Sequence, residues 1–61
     1  MLPDIAYSVK VRNTWYKVVI KRDEMQNIYK IECPKLKCST HGDTKEKALA
    51  NIQIEIERRL K

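Results

Sequence analysis

Residues 16–60 read YKVVIKRDEMQNIYKIECPKLKCSTHGDTKEKALANIQIEIERRL and carry most of the signal for the fold. Apolar and polar side chains alternate from about residue 15 to residue 22 and again over residues 28–33. This period-two pattern is typical of strands that are buried on one face. Residues 23–27 between them are short, polar and end in Asn, which predicts a hairpin turn. The stretch therefore predicts two antiparallel strands at the centre of a sheet.

The segments on either side extend this sheet. Residues 5–12 alternate as clearly, and Asn13-Thr14 predicts a tight turn into the next strand. Pro34 has no N–H to donate and ends the strand before it. We expect residues 35–40 to cross over the sheet, with a short extended piece at residues 38–40.

A helix is predicted after Gly42, which lets the backbone turn sharply. Asp43 or Thr44 can cap the first free amides, and Asp43 with Glu46 fits the spacing of a capping box. One apolar stripe at helical spacing should pack on the sheet, formed by Leu49, Ile52, Ile56 and Leu60, with Ala48 at its margin. The fold expected is α+β: a three- to four-stranded, mainly antiparallel sheet with one C-terminal helix on one face, β-β-β-α after an additional N-terminal strand.

Length and charge bound the class of protein. The chain has 61 residues and a net charge of +5, so we expect a single domain, residues 1–61, with a preference for anionic partners. A chain of this size hides only about 60% of its unfolded surface, which favours a homodimer or another partner. No apolar run approaches the roughly 18 residues that a membrane span needs, and no secretion signal is evident, so a cytoplasmic protein is expected.

The two cysteines and the single histidine form the pattern Cys33-x4-Cys38-x2-His41. We expect reduced thiols in a cytoplasmic protein, with a disulfide as the alternative. The pattern superficially suggests zinc, but a structural zinc site needs four ligands and usually closer cysteine pairs. No metal and no cofactor are therefore expected.

Catalytic patterns are weak. Ser39 and Thr40 lie beside His41, but adjacency in sequence does not create a nucleophile–base pair. The carboxylates fall in turns, at the helix start and on the helix surface, and not where several would converge on metal ions. We expect a protein that is not an enzyme.

Two surfaces are candidates for binding. A basic strand face with an exposed aromatic can hold nucleic acid or a partner, although lysines also simply keep an open face soluble. Its candidate residues are Lys10, Arg12, Trp15, Lys17, Lys21 and Lys30. Pairing of residues 5–12 across a two-fold axis would protect a sheet edge. The candidate self-association residues are Val9, Val11, Ala50 and Ile54.

Several segments together resemble the HicB-like antitoxins of toxin–antitoxin pairs, over about residues 16–60. The matching segments are YKVVI at residues 16–20, YKIECP at 29–34, PKL at 34–36, CSTHGDT at 38–44 and KEKALANI at 45–52. The resemblance implies a partial RNase H fold and a HicB-like unit over residues 15–60, with residues 5–12 as an additional strand. It also implies a function: a non-catalytic, stand-alone antitoxin that neutralises a small mRNA-cleaving toxin by steric occlusion. The alternative is a small basic nucleic-acid-binding protein that uses the open sheet face.

Overall fold

The computed structural model describes the backbone of residues 5–60 and the side chains of residues 6–60. The elements in chain order are β1 (Ile5–Val11), β2 (Thr14–Asp23), β3 (Ile28–Cys33), β4 (Cys38–Gly42) and α1 (Lys45–Arg59). Each strand pairs antiparallel with its neighbour in sequence, so the sheet order is β1-β2-β3-β4. The predicted α+β class is confirmed, as β-β-β-β-α. No helix among residues 5–60 is long and apolar enough to cross a membrane.

The turn between β1 and β2 contains only Arg12 and Asn13. Val11 pairs with Thr14, and the two turn residues have φ angles of 52° and 63°. Positive φ at both central residues is the signature of a type I′ hairpin, whose twist matches that of the flanking strands. The predicted strand is therefore one residue too long, because the alternation of the sequence continues through Arg12 while the ladder ends at Val11.

The expected crossing over residues 35–40 is wrong. The Lys37 N–H donates to the Pro34 carbonyl at 3.3 Å, and Lys37 has a φ angle of 54°, so the chain reverses within four residues. Cys38 then pairs with Cys33, and β4 forms an edge strand beside β3. The predicted extended piece is real, but it is a paired strand that continues to Gly42.

The core lies between α1 and one face of the sheet. Its fully buried helix side chains are Ala48, Ile52 and Ile56, whereas Leu49 and Leu60 are only partly buried. Ala48 is therefore central to the stripe and not marginal to it. The sheet contributes the other buried side chains, which are Val9, Val11, Tyr16, Val18, Ile20, Ile31, Cys33 and Cys38.

Gly42 is required for space and not for an unusual backbone conformation. None of the residues 5–60 is a glycine with positive φ. A Cβ atom at Gly42 would instead lie 2.5 Å from the Ala48 nitrogen and 2.9 Å from the Lys47 carbonyl carbon, well inside contact distance. The predicted glycine requirement holds, but its cause is the close approach of α1 to β4.

Thr44, and not Asp43, caps α1. Its backbone is extended, its hydroxyl accepts from the Lys47 N–H at 3.1 Å, and its carbonyl accepts from the Ala48 N–H at 2.9 Å. With Thr44 as the cap, the third helical residue is Lys47, whereas a capping box needs Glu or Gln at that position. Glu46 would occupy it only if Asp43 were the cap. At the other end of the helix, Arg58 and Arg59 lie in the last turn, where their positive charges interact favourably with the negative end of the helix dipole.

Candidate binding surfaces

One face of the sheet is covered by α1, and we call the other the open face. Strand register places Lys10 opposite Trp15 and Lys21 opposite Lys30, with Lys17 on the same side of β2. All five of these predicted residues are exposed and share the open face. Arg12 does not, because it lies in the turn at the end of the β1–β2 ladder.

The half of the open face near the β2–β3 turn is largely neutralised. Lys21 Nζ lies 3.9 Å from Glu32 Oε1, and Lys30 Nζ lies 3.2 Å from Asp23 Oδ2. The Asp23 carboxylate also accepts the amides of Met25 and Gln26 at 3.1 and 3.2 Å. The Gln26 amide, followed by the Lys30 ammonium, lowers the pKa of Asp23 below its ordinary value. This carboxylate therefore stays ionised and holds the turn.

The other half of the open face carries an exposed aromatic ring beside unpaired cations. Trp15 is 63% exposed, and the Lys10 ammonium lies 5.9 Å from the centre of its ring. Among residues 5–60, neither Lys10 nor Lys17 takes part in an ion pair. A ring of this kind between free cations can contact a planar, anionic ligand.

Because consecutive strands are neighbours in the sheet, alternate turns lie at the same end of it, and this brings further cations to the end where Trp15 lies. The β1–β2 turn, the β3–β4 turn and the C-terminus of α1 all lie there, and we call this the basic end. Its cations are Lys10, Arg12, Lys17, Lys35, Lys37, Arg58 and Arg59. Lys35 Nζ lies 5.7 Å from the Tyr16 ring, which ties the β3–β4 turn to the start of β2. Sequence reasoning missed this cluster, because its members are scattered along the chain and only the order of the hairpins could have revealed it.

The opposite end, with the β2–β3 turn, Gly42 and the start of α1, we call the capped end. Its side chains bind the backbone: Asp23 holds its turn, Thr44 caps the helix, and the Asn51 amide donates to the His41 carbonyl at 2.8 Å. Arg22 donates to the Asn27 side chain and lies 4.8 Å from the Tyr29 ring. These polar groups are therefore engaged in structure.

A groove runs between the β1 edge and α1. Its lining residues are Lys10, Val11, Arg12, Ala50, Gln53, Ile54 and Glu57. Ile54 is 53% exposed and Ala50 is also exposed, and neither belongs to the apolar stripe of α1. Val9 and Val11 are each only 5% exposed because they point into the core. These two valines can therefore serve self-association only through the backbone of the β1 edge.

The cysteines and the histidine lie on different faces of the sheet. Cys33 and Cys38 are free, buried and directly opposite one another on the core face, whereas His41 lies on the open face with Ser39. Burial, and next the neighbouring Cys33 thiol, raises the pKa of Cys38 above its ordinary value. Within residues 5–60, no three potential metal ligands of the His, Cys, Asp or Glu type come together.

Ser39 and His41 line a shallow depression on the open face together with Lys30 and Glu32. Thr40 also borders this depression, but its position opposite Ile31 directs its side chain toward the core side of β4. In the part of the chain that the structure describes, no hydrogen bond joins the His41 ring to either hydroxyl. The structure therefore does not pair a nucleophile with a base here.

Comparisons of this chain with protein-family models, with curated proteins and with solved structures find no match. The HicB-like resemblance rests on the matching segments of the sequence alone. What the surfaces described above can bind is argued from their own geometry and charge.

Proposed function

We propose that this chain is a non-catalytic binding module of the HicB-like antitoxin type, which acts in the cytoplasm. It would neutralise a small mRNA-cleaving toxin by covering the surface that contacts the RNA. The observation that supports this proposal best is the exposed edge of β1 beside a groove that presents Ile54. The residues that carry the resemblance pack against one another, which supports the fold that the resemblance implies. Gly42 lies against Ala48, Thr44 caps α1, and Asn51 holds the His41 carbonyl.

These residues stabilise the β4–α1 connection and leave the opposite part of the molecule free. Among residues 5–60, no strand pairs with the outer edge of β1, and beside this edge lies the groove with the exposed Ile54. An edge strand next to a groove that exposes the apolar side chain of Ile54 favours a partner that adds a strand and covers this side chain. We propose that the toxin binds this surface. A second copy of the chain, as in the expected homodimer, could bind it instead, and the experiment must distinguish these two partners.

Charge constrains how such a complex would form. A protein that cleaves mRNA needs cations to contact phosphates, and this chain itself has a net charge of +5. The two partners would therefore repel each other at long range. Backbone pairing along β1 and burial of Ile54 must supply the affinity, so binding should hold or tighten as salt rises.

The test is co-expression with the product of the neighbouring gene, with growth arrest and co-purification as readouts. We expect the chain to relieve the arrest and to bind the toxin as tightly at 500 mM salt as at 50 mM salt. Ile54→Asp should abolish both effects. Met25→Asp is the matched control, since Met25 is 98% exposed in the β2–β3 turn, away from the groove.

Three results would overturn the proposal. These are arrest that the chain fails to relieve, binding that weakens steeply with salt, and equal behaviour of Ile54→Asp and Met25→Asp. Size-exclusion chromatography with light scattering completes the test. If the chain forms a dimer without any toxin bound, and Ile54→Asp converts it to a monomer, the groove binds a second copy of the chain.

A further inference from the structure

We propose that the open face beside the basic end binds single-stranded nucleic acid. In this site a base stacks on Trp15 while Lys10 and Lys17 contact the phosphates on either side. The inference does not rest on the antitoxin proposal, because Trp15 and Lys17 lie on the open face outside the β1–α1 groove, whereas Lys10 and Arg12 lie at the border that the two surfaces share.

Trp15 is the first observation that carries this inference. This residue is 63% exposed, on a strand whose inward-facing side chains Tyr16 and Val18 are buried. Lys10, on the neighbouring strand, holds its ammonium 5.9 Å from the ring centre. Bases of any sequence have a flat π surface, and stacking on an aromatic side chain is the usual way in which single strands are held without sequence preference.

The distribution of charge is the second observation. Lys21 and Lys30 are paired with Glu32 and Asp23, so the half of the face near the capped end has little free charge. Lys10 and Lys17 have no such partner among residues 5–60, and Lys17 lies two residues from Trp15 on the same side of β2. Two cations that form no ion pair within the described part of the chain therefore share this half of the open face with the Trp15 ring.

The turns extend this cationic surface. Arg12 lies directly beyond Lys10 in the β1–β2 turn, and Lys37 lies in the β3–β4 turn at the same end of the sheet. A polyanion that leaves the Trp15 site toward the basic end continues to meet cations, whereas toward the capped end it meets ion pairs and the Asp23 carboxylate. The site thus favours a chain of phosphates over a single small anion.

Single strands are favoured over duplexes for a geometric reason. A duplex keeps its bases stacked and offers Trp15 no free π surface, so only its phosphates could bind. The helix that could enter a major groove, α1, covers the opposite face of the sheet. Both RNA and single-stranded DNA meet the requirements, and the experiment distinguishes them.

The test uses the full chain and fluorescein-labelled twelve-residue oligonucleotides of uridine and of thymidine, with a duplex of equal length. Fluorescence anisotropy gives the affinity at 50 and 200 mM salt. We expect single strands to bind, with affinity that falls steeply as salt rises. Trp15→Ala should weaken binding by about tenfold, as the loss of one stacked base does elsewhere.

Two double variants remove the same charge at different ends. Lys10→Gln with Lys17→Gln should weaken binding by about tenfold and reduce the salt slope by about 1.4, since each phosphate contact on a single strand contributes about 0.7. Lys45→Gln with Lys47→Gln, at the start of α1, should change neither value. Circular dichroism on heating should be unchanged for the Lys10/Lys17 pair, because both side chains are exposed.

Several outcomes would overturn the inference. Absence of binding at 50 mM salt, or equal losses in the two double variants, would make the positive charge an ordinary surface property. Duplex binding as tight as that of single strands, with no effect of Trp15→Ala, would exclude stacking. A uridine strand that binds more tightly than a thymidine strand would identify RNA as the ligand, and the reverse would identify DNA.

Discussion

The capped end and the basic end of the sheet use polar residues in opposite ways. At the capped end, Asp23, Thr44 and Asn51 each satisfy a backbone group, and Gly42 allows the helix to touch the strand. At the basic end lie three of the four residues with positive φ among residues 5–60, Arg12, Asn13 and Lys37, in turns close to a cluster of cations. One end is specified by local hydrogen bonds, whereas the other accepts less favourable backbone conformations and gathers charge.

This difference separates stability from binding. Residues that are explained by a backbone partner need no further role, because a cap or a turn is sufficient reason for them to be present. Trp15, Lys10 and Lys17 stabilise nothing that the structure shows apart from the contact between Lys10 and the ring. Substitutions at the two ends should therefore divide into those that unfold the chain and those that only weaken binding.

The largest effect should come from Gly42→Ala at the capped end. The new methyl group would meet backbone atoms of Lys47 and Ala48, which cannot move aside without displacing α1. We expect the free energy of unfolding to fall by about 3 kcal/mol, measured by urea denaturation. Ser39→Ala on the exposed side of the same strand is the control and should change it by less than about 0.5 kcal/mol. Equal values for the two variants would show that α1 does not press on β4.

Thr44→Ala should come next, with a loss of about 1 kcal/mol in the free energy of unfolding. Its hydroxyl accepts from the Lys47 N–H, and alanine would leave that amide without a protein partner. Asp43→Ala is the matched control and should cost much less, because the structure gives the cap to Thr44. Urea denaturation of both variants measures the two losses. A larger loss of stability for Asp43→Ala would show that Asp43, and not Thr44, caps α1.

A glycine substitution tests the turns of the two ends against each other. Asn13→Gly at the basic end should raise the free energy of unfolding by about 0.5 kcal/mol, because a φ of 63° suits glycine and the type I′ turn prefers it there. Asn27 at the capped end has a similar φ of 56°, but its side chain accepts from Arg22. Asn27→Gly should therefore gain less or lose stability. Thermal unfolding of the two variants measures the difference, which would vanish if the Arg22 contact were unimportant.

The smallest effect is a dependence on pH at the capped end. The folded-state pKa of Asp23 is lowered, mainly by the Gln26 amide and then by Lys30. The stability that it contributes is thus present above its unfolded pKa of about 3.9 and is lost as the pH falls through the lower folded value. Urea midpoints at pH 5 and pH 3 should differ less in Asp23→Asn than in the unmodified chain. Lys10→Gln, at the basic end, should keep the full difference.

Long regular patterns were predictable from the sequence. The strands β2 and β3 and the helix α1 have enough turns or alternations for the period to be read directly. β4 was predicted only as a short extended piece, because it has five residues and its inward-facing positions are Cys38, Thr40 and Gly42, none of which is a large apolar residue. The sequence does not distinguish between Asp43 and Thr44 as the helix cap, since both side chains can accept a hydrogen bond from the first free amides. Only the backbone conformation decides which of them does so.

The candidate surfaces were predictable only in part. Alternation placed Trp15 and the strand lysines on one face, because side chains of a strand point to opposite sides in turn. The same rule misplaced Arg12, since the ladder ended before it. The neutralisation of Lys21 and Lys30 depends on which acids lie across the ladder, and this register cannot be derived from composition.

The order β1-β2-β3-β4 also governs how the chain can fold. Adjacent strands are joined by turns of two or four residues, so each hairpin closes at a small entropic cost and folding should be fast. The packing of α1 on β1, in contrast, joins the two ends of the described chain, and it is the least extensive of the main contacts between elements. This seam should form last and open first. The groove that we assign to a partner lies along it, so a bound partner would fasten the part of the molecule that most easily comes apart.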